Sequence, residues 1–186
     1  MANKDAAFGL KAIGKVGQNR DNQGLSEYSI AASATAIYQW DPVEMLATGT
    51  IGVAAATDVL IGSLNGVFYT DASTSKPTWA NHLEAANTAT DIVGFVSDDP
   101  YERFEVQSAG TVAAADIGLC ADISYAAGSS PDYISKTEIS GTMATGTAQL
   151  KIIGVSKDPD NDELGAANAN VVVIINEHFL KQTAGI

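Results

Sequence analysis

Few residues in this chain could act as a base, a nucleophile or a metal cage. Its histidines are His82, in a polar stretch, and His178, in Asn176-Glu177-His178-Phe179. Glu177 could orient His178 as a base only if the two side chains converged, and neighbours on a strand point to opposite faces. Neither histidine is expected to be catalytic. The single cysteine, Cys120, lies in Ile117-Gly118-Leu119-Cys120-Ala121, which suits a small buried hydrophobe better than a nucleophile, and one cysteine provides no disulfide framework. The chain has no Gly-x-Ser-x-Gly elbow, phosphate loop or dinucleotide fingerprint, and its histidines and cysteine match no recognised zinc spacing. It therefore reads as non-enzymatic, with no cofactor.

One acidic run has the spacing for hard-cation chemistry. Asp158, Asp160 and Asp162 alternate, as the first ligands of a calcium loop do. Two later positions depart from that pattern: Glu163 stands where the sharp turn needs glycine, and Ala169 where a bidentate glutamate is needed. An acidic turn between two strands accounts for the run, and the three aspartates stay a weak calcium candidate.

Charge limits the partners. Charged residues make up 17% of the chain and hydrophobic residues 46%, so the surface is lightly charged and rich in small residues. Formal net charge is −12, and the basic residues form no stripe with interleaved aromatics. Nucleic acid is not an expected partner. The charge is uneven, because Lys4, Lys11, Lys15 and Arg20 against Asp5 make the first twenty residues +3 and leave −15 on the remainder. A basic end on an acidic body points to an arm that docks elsewhere. No apolar run is long enough for a membrane helix, and the first residues lack the apolar core of a signal peptide, so a soluble protein made in a cytoplasm is expected, with no membrane partner.

The elements that would position these residues are short strands. Residues 1–25 are rich in Gly and Asn with scattered apolar residues, and read as an extended N-terminal arm that cannot bury a core of its own. Residues 26–186 read as a single β-rich body. Its centre is Val59 to Asp71, where Asn65-Gly66 between β-prone runs predicts a two-residue type I′ hairpin. Thr48-Gly49 predicts a second hairpin, between Val43–Ala47 and Ile51–Ala55. Further strands are expected at Glu27–Ala31, Thr35–Trp40, Asp91–Asp98, Glu102–Ser108, Tyr133–Lys136, Ala148–Lys157 and Ala169–Asn176. In Glu102–Ser108, Phe104 and Val106 point one way and Arg103, Glu105 and Gln107 the other. Val112–Ile117 predicts one short helix. Asp71–Thr90 reads as a long polar loop, with Trp79 expected to be buried beneath it. The fold class is mainly β: an antiparallel β-barrel or β-sandwich with one short helix and the extended arm.

Several phrases of the chain carry a resemblance to a known family. They are Met1-Ala-Asn-Lys-Asp-Ala-Ala-Phe-Gly-Leu10, Tyr28-Ser-Ile-Ala31, Asp41-Pro-Val43, Gly66-Val-Phe-Tyr-Thr-Asp71, Asp98-Asp-Pro-Tyr-Glu-Arg-Phe-Glu-Val-Gln-Ser108, Gly146-Thr-Ala-Gln-Leu150 and Ile175-Asn-Glu-His178. Over nearly its whole length the chain resembles the small head-decoration, or capsid cement, proteins of tailed bacteriophages, including those of marine and cyanobacterial phages. The resemblance implies a β-rich virion protein made in the host cytoplasm. It would sit on the outer capsid surface, as a homotrimer or dimer, and clamp neighbouring major capsid protein subunits. It implies no catalytic residues. On this view the arm would contact the capsid, with Phe8 and Leu10 as anchors and Lys4, Lys11, Lys15 and Arg20 as the charge complement. The alternative is a receptor- or glycan-binding β-module displayed on the virion, with Trp79 in the Asp71–Thr90 loop as a stacking platform.

Overall fold

The computed structural model describes residues 2–17 and 24–181. Among these residues the chain forms thirteen strands. They are β1 (Lys11–Lys15), β2 (Ser26–Ser29), β3 (Pro42–Met45), β4 (Ile51–Val53), β5 (Leu60–Thr70), β6 (Pro77–Ala80) and β7 (Val93–Ser97). After these come β8 (Glu102–Gln107), β9 (Cys120–Ala121), β10 (Ile123–Ser124), β11 (Glu138–Ile139), β12 (Leu150–Val155) and β13 (Asn170–Ile175). One sheet has the order β1-β8-β13-β12-β9; the other runs β2-β7-β5-β3-β4, with β6 also on β5. Every strand pairing in both is antiparallel. The arrangement is sandwich-like, and among the described residues no barrel closes.

Each sheet carries its own apolar cluster. Alternation puts Phe104, Val106, Leu150, Ile152, Val171 and Val173 into the first, and Ile61, Leu64, Val67 and Val96 into the second. In β8 the expected alternation holds for Phe104 and Val106 against Arg103 and Glu105, but Gln107 is buried with the core side. Ala54 and Leu60, from the end of the second sheet, join the first cluster. The buried amide of Gln149 holds this junction, donating to the carbonyls of Ala55 and Asp58 at 2.8 Å each.

The predicted Thr48-Gly49 hairpin forms between β3 and β4, with Gly49 at φ 77°. The predicted turn at Asn65-Gly66 does not. The chain runs straight through it as the eleven-residue β5, and Asn65 is the extra residue of a bulge between Leu64↔Val96 and Gly66↔Phe95. Partners on both sides account for this. β3 and β6 pair along one edge of β5 and β7 along the other, so turning at Asn65 would give up ladders and the burial of Leu64 and Val67. The actual reversal comes at residues 71–76. There Asp71 accepts from the amides of Ser73 (2.9 Å) and Thr74 (2.8 Å) and from both hydroxyls, which hold its carboxyl down at about 2.

Other expectations change in extent. The Val112–Ile117 helix shrinks to a 3₁₀ turn at Ala114–Asp116 with no buried residue; a single turn without a face to bury does not offset the cost of nucleation. Thr35–Trp40 and Tyr133–Lys136 contribute isolated bridges at Ile37, Gln39 and Ile134 rather than strands. Trp40, at φ 65°, breaks the first of these.

Candidate functional site

The basic N-terminal segment is extended, as expected, but it lies along the chain's own body. β1 is the edge strand of the first sheet, with Ala12 opposite Phe104. Ahead of it the amide of Ala6 donates to Gln107 Oε1 at 2.8 Å, while Gln107 Nε2 and Asn161 Nδ2 donate to the Lys4 carbonyl at 2.8 and 2.7 Å. Gly9, at φ 79°, threads where a Cβ would stand 2.4 Å from the Trp40 carbonyl oxygen and 2.5 Å from Ser135 Cβ, so only glycine fits. Leu10 then enters the first core, fully buried. The boundary expected at residue 25 thus does not separate an arm from a body.

The residues expected to contact a capsid are largely used at home. Leu10 is inaccessible, and Phe8 packs edge-on against Trp40 at 6.5 Å between centroids. Lys4 pairs with Asp160, the Lys11 ammonium stands 5.7 Å over the Trp40 ring, and Lys15 meets Asp99 at 2.8 Å. That ammonium and the Tyr101 amide hold the Asp99 carboxyl below its usual range. Arg20 lies outside the described residues. Two of the segment's basic residues, Lys4 and Lys15, are therefore paired with acidic residues of the same molecule. Gln107 and Asn161, which fasten the segment, give no sign of that role in sequence, because their partners lie about a hundred residues or more away.

The acidic run is likewise closed by protein groups. Asp160 holds Lys4, Asp158 accepts from the Asp160 amide at 3.1 Å, and Asn161 is buried beneath the loop. Among the described residues no three His, Cys, Asp or Glu side chains are grouped to hold a metal. Millimolar calcium is expected to leave the melting temperature unchanged in a thermal scan, since an ion that binds only the folded state would raise it.

The histidines lie far apart in the sequence and play different parts. His82 stacks on Tyr133 at 3.8 Å between centroids, with Tyr38 on a parallel plane at 6.3 Å. His178 is fully buried beside Leu60, accepts from the Leu180 amide through Nδ1 at 3.1 Å, and has no hydrogen-bond partner at Nε2. Burial, with the Lys181 ammonium nearby, pushes it down to about 4. Cys120 is buried in β9.

The sequence reading offered Trp79 as a stacking platform only in its alternative, and missed the aromatic face that Phe68 and Phe95 make with it. Trp79 is not beneath a loop: it lies on β6, with 60% of its surface exposed. It sits opposite Phe68 of β5, which is 38% exposed, and contacts Phe95 of β7 at 4.5 Å between ring centroids. Leu64, Val67, Ala80 and Val96 take the other side of the same strands into the core, so Phe68, Trp79 and Phe95 share the outer face. The indole lies over Gly66, where a Cβ would come within 3.4 Å of its Cζ2. The sequence signal was the Pro77-Thr-Trp-Ala80 alternation inside a stretch read as loop.

Fold and face together define a mainly β, sandwich-like chain that carries Phe68, Trp79 and Phe95 together on one outer sheet face. No protein-family model matches the chain, and no curated protein or solved structure does.

Proposed function

We propose that the chain is a non-enzymatic structural protein of a phage virion that binds the outer capsid surface and cements neighbouring major capsid protein subunits. The observation that carries this reading is the outer face of Phe68, Trp79 and Phe95. Exposed contiguous aromatics on a rigid sheet favour a protein partner, and tryptophan is among the residues that most often dominate such interfaces. The resemblance to decoration proteins and the acidic, lightly charged surface agree with a position outside a shell. Cementing works by mass action: a protein that binds the closed lattice and not its separated subunits stabilises the lattice. Self-association, as a trimer or dimer, would multiply modest contacts into avidity.

The second reading, a receptor- or glycan-binding module, is favoured by the same open indole, which is also a stacking surface for a sugar. Sedimentation with phage shells stripped of the protein separates the two. Co-sedimentation at a fixed ratio to capsid subunits, with higher shell resistance to heat, is the expected result, and Trp79→Ala is expected to weaken binding by about tenfold or more. A wild-type protein that ignores shells but is retained on glycans would replace the cementing reading with the second.

A further inference from the structure

We infer that the open Trp79 face receives a cationic side chain, an arginine or lysine carried on an apolar protein surface. Two of the chain's other aromatics, Trp40 and Tyr101, are used this way. The Lys11 ammonium stands over Trp40 at 5.7 Å, and that of Lys181 over Tyr101 at 4.8 Å. Among the described residues no cation stands over Trp79, although it is the more exposed tryptophan. Indole is the strongest of the three aromatic rings for holding a cation.

The rim has the matching sign. Glu27 of β2 is paired opposite Phe95 and so projects from the same face. The Asp91 carboxylate lies against the Thr70 amide, at 3.1 and 3.2 Å, and Asp71 closes the β5–β6 turn. On that hairpin only Lys76 is basic. A second copy, at net −12, would bring an acidic surface to this rim. A neutral sugar could stack on the ring and donate hydroxyls to the carboxylates, but it would gain nothing from their charge. A basic, apolar protein surface uses both.

This inference deepens the cementing reading, and it rests on that reading only for the partner being a capsid subunit. Its test uses the full chain and two blocked octapeptides, one alternating arginine with valine and the other glutamate with valine, titrated by isothermal calorimetry. The arginine peptide is expected to bind at least tenfold more tightly than the glutamate peptide and to weaken as salt rises. Trp79→Ala is expected to lose at least tenfold. Glu27→Lys, which leaves the ring in place, is expected to lose several-fold, with unchanged circular dichroism in both variants. Equal binding of the two peptides, or wild-type affinity in Trp79→Ala, overturns the inference. Trp79-dependent binding of a neutral oligosaccharide would assign the face to sugars, and Trp79-dependent dimerisation would assign it to a second copy; either overturns it too. Tight arginine-peptide binding by a protein that ignores shells sinks the cementing reading alone. Shell binding that survives Trp79→Ala sinks this face alone.

Discussion

Leu10→Ala is expected to destabilise the fold by roughly 2–5 kcal/mol, while Ile13→Ala, three residues on, is expected to stay within about 0.5 kcal/mol of wild type. Leu10 is fully buried with Phe104 and Val173, and truncating it leaves a cavity that the surrounding strands cannot collapse to fill. Ile13 is 38% exposed on the edge strand. Denaturant midpoints of the two variants, at equal slope, measure the difference. A loss of this size is a large share of the roughly 5–15 kcal/mol that holds a typical domain together. Removing residues 1–16 entirely is expected to abolish cooperative unfolding, because β1 and the bonds from Lys4 through Val16 go with it. A Leu10→Ala protein as stable as wild type would mean that the segment docks elsewhere, as the charge asymmetry first implied. Loss of shell binding on deleting the segment would then report loss of fold before it reported loss of a contact.

The second large effect is a pair of opposed pH dependences. Asp41 is fully buried, with no hydrogen-bond partner at Oδ1. Burial pushes its carboxyl up to about 6, against the opposing pull of the Ser135 hydroxyl and the Tyr38 amide, which donates to Oδ2 at 2.8 Å. A raised acid is most favourable to the fold when protonated, so this contribution is complete below the ordinary value of 3.8 and is lost as pH rises through about 6. At about 1.4 kcal/mol per unit the loss is about 3 kcal/mol. His178 works in the opposite sense. Its folded value, about 4 against an ordinary 6.5, makes its contribution complete above 6.5 and lost as pH falls through about 4, again about 3 kcal/mol.

Between pH 4 and 6 the two nearly cancel, and each substitution should expose the other. Asp41→Asn is expected to be more stable than wild type at pH 7 by up to about 3 kcal/mol, with the gain shrinking towards pH 4. His178→Gln loses packing at every pH, but relative to wild type it should recover stability on acidification from 6.5 to 4. Denaturant unfolding at four or five pH values, taken as variant minus wild type, removes the shared contribution of the exposed carboxylates. Differences that do not change with pH would mean that neither group is held away from its ordinary value.

Local chemistry was legible in the sequence. Strand texture, the Thr48-Gly49 turn, the alternation of Phe104 and Val106 against Arg103 and Glu105, and the buried final strand at Asn170–Ile175 depend on neighbours in the chain, and each forms. The mainly β class follows from them. Only the tertiary structure decided the rest, because it turns on which strands meet. Asn65-Gly66 has the residues of a hairpin, yet ladders on both sides of β5 outweigh a local turn preference and make it a bulge. The first twenty residues have the charge of a docking arm, yet Gln107, Asn161, Asp99 and Asp160 gather from distant strands and loops to hold the segment down. Trp79 sits among turn residues, yet its pairing with β5 puts it on the outer face of a sheet whose inner face is already filled by Val67 and Ala80. Turn and strand propensities are set within a few residues, whereas the side of a sheet a residue faces, and what remains open there, is set by partners far away in the chain.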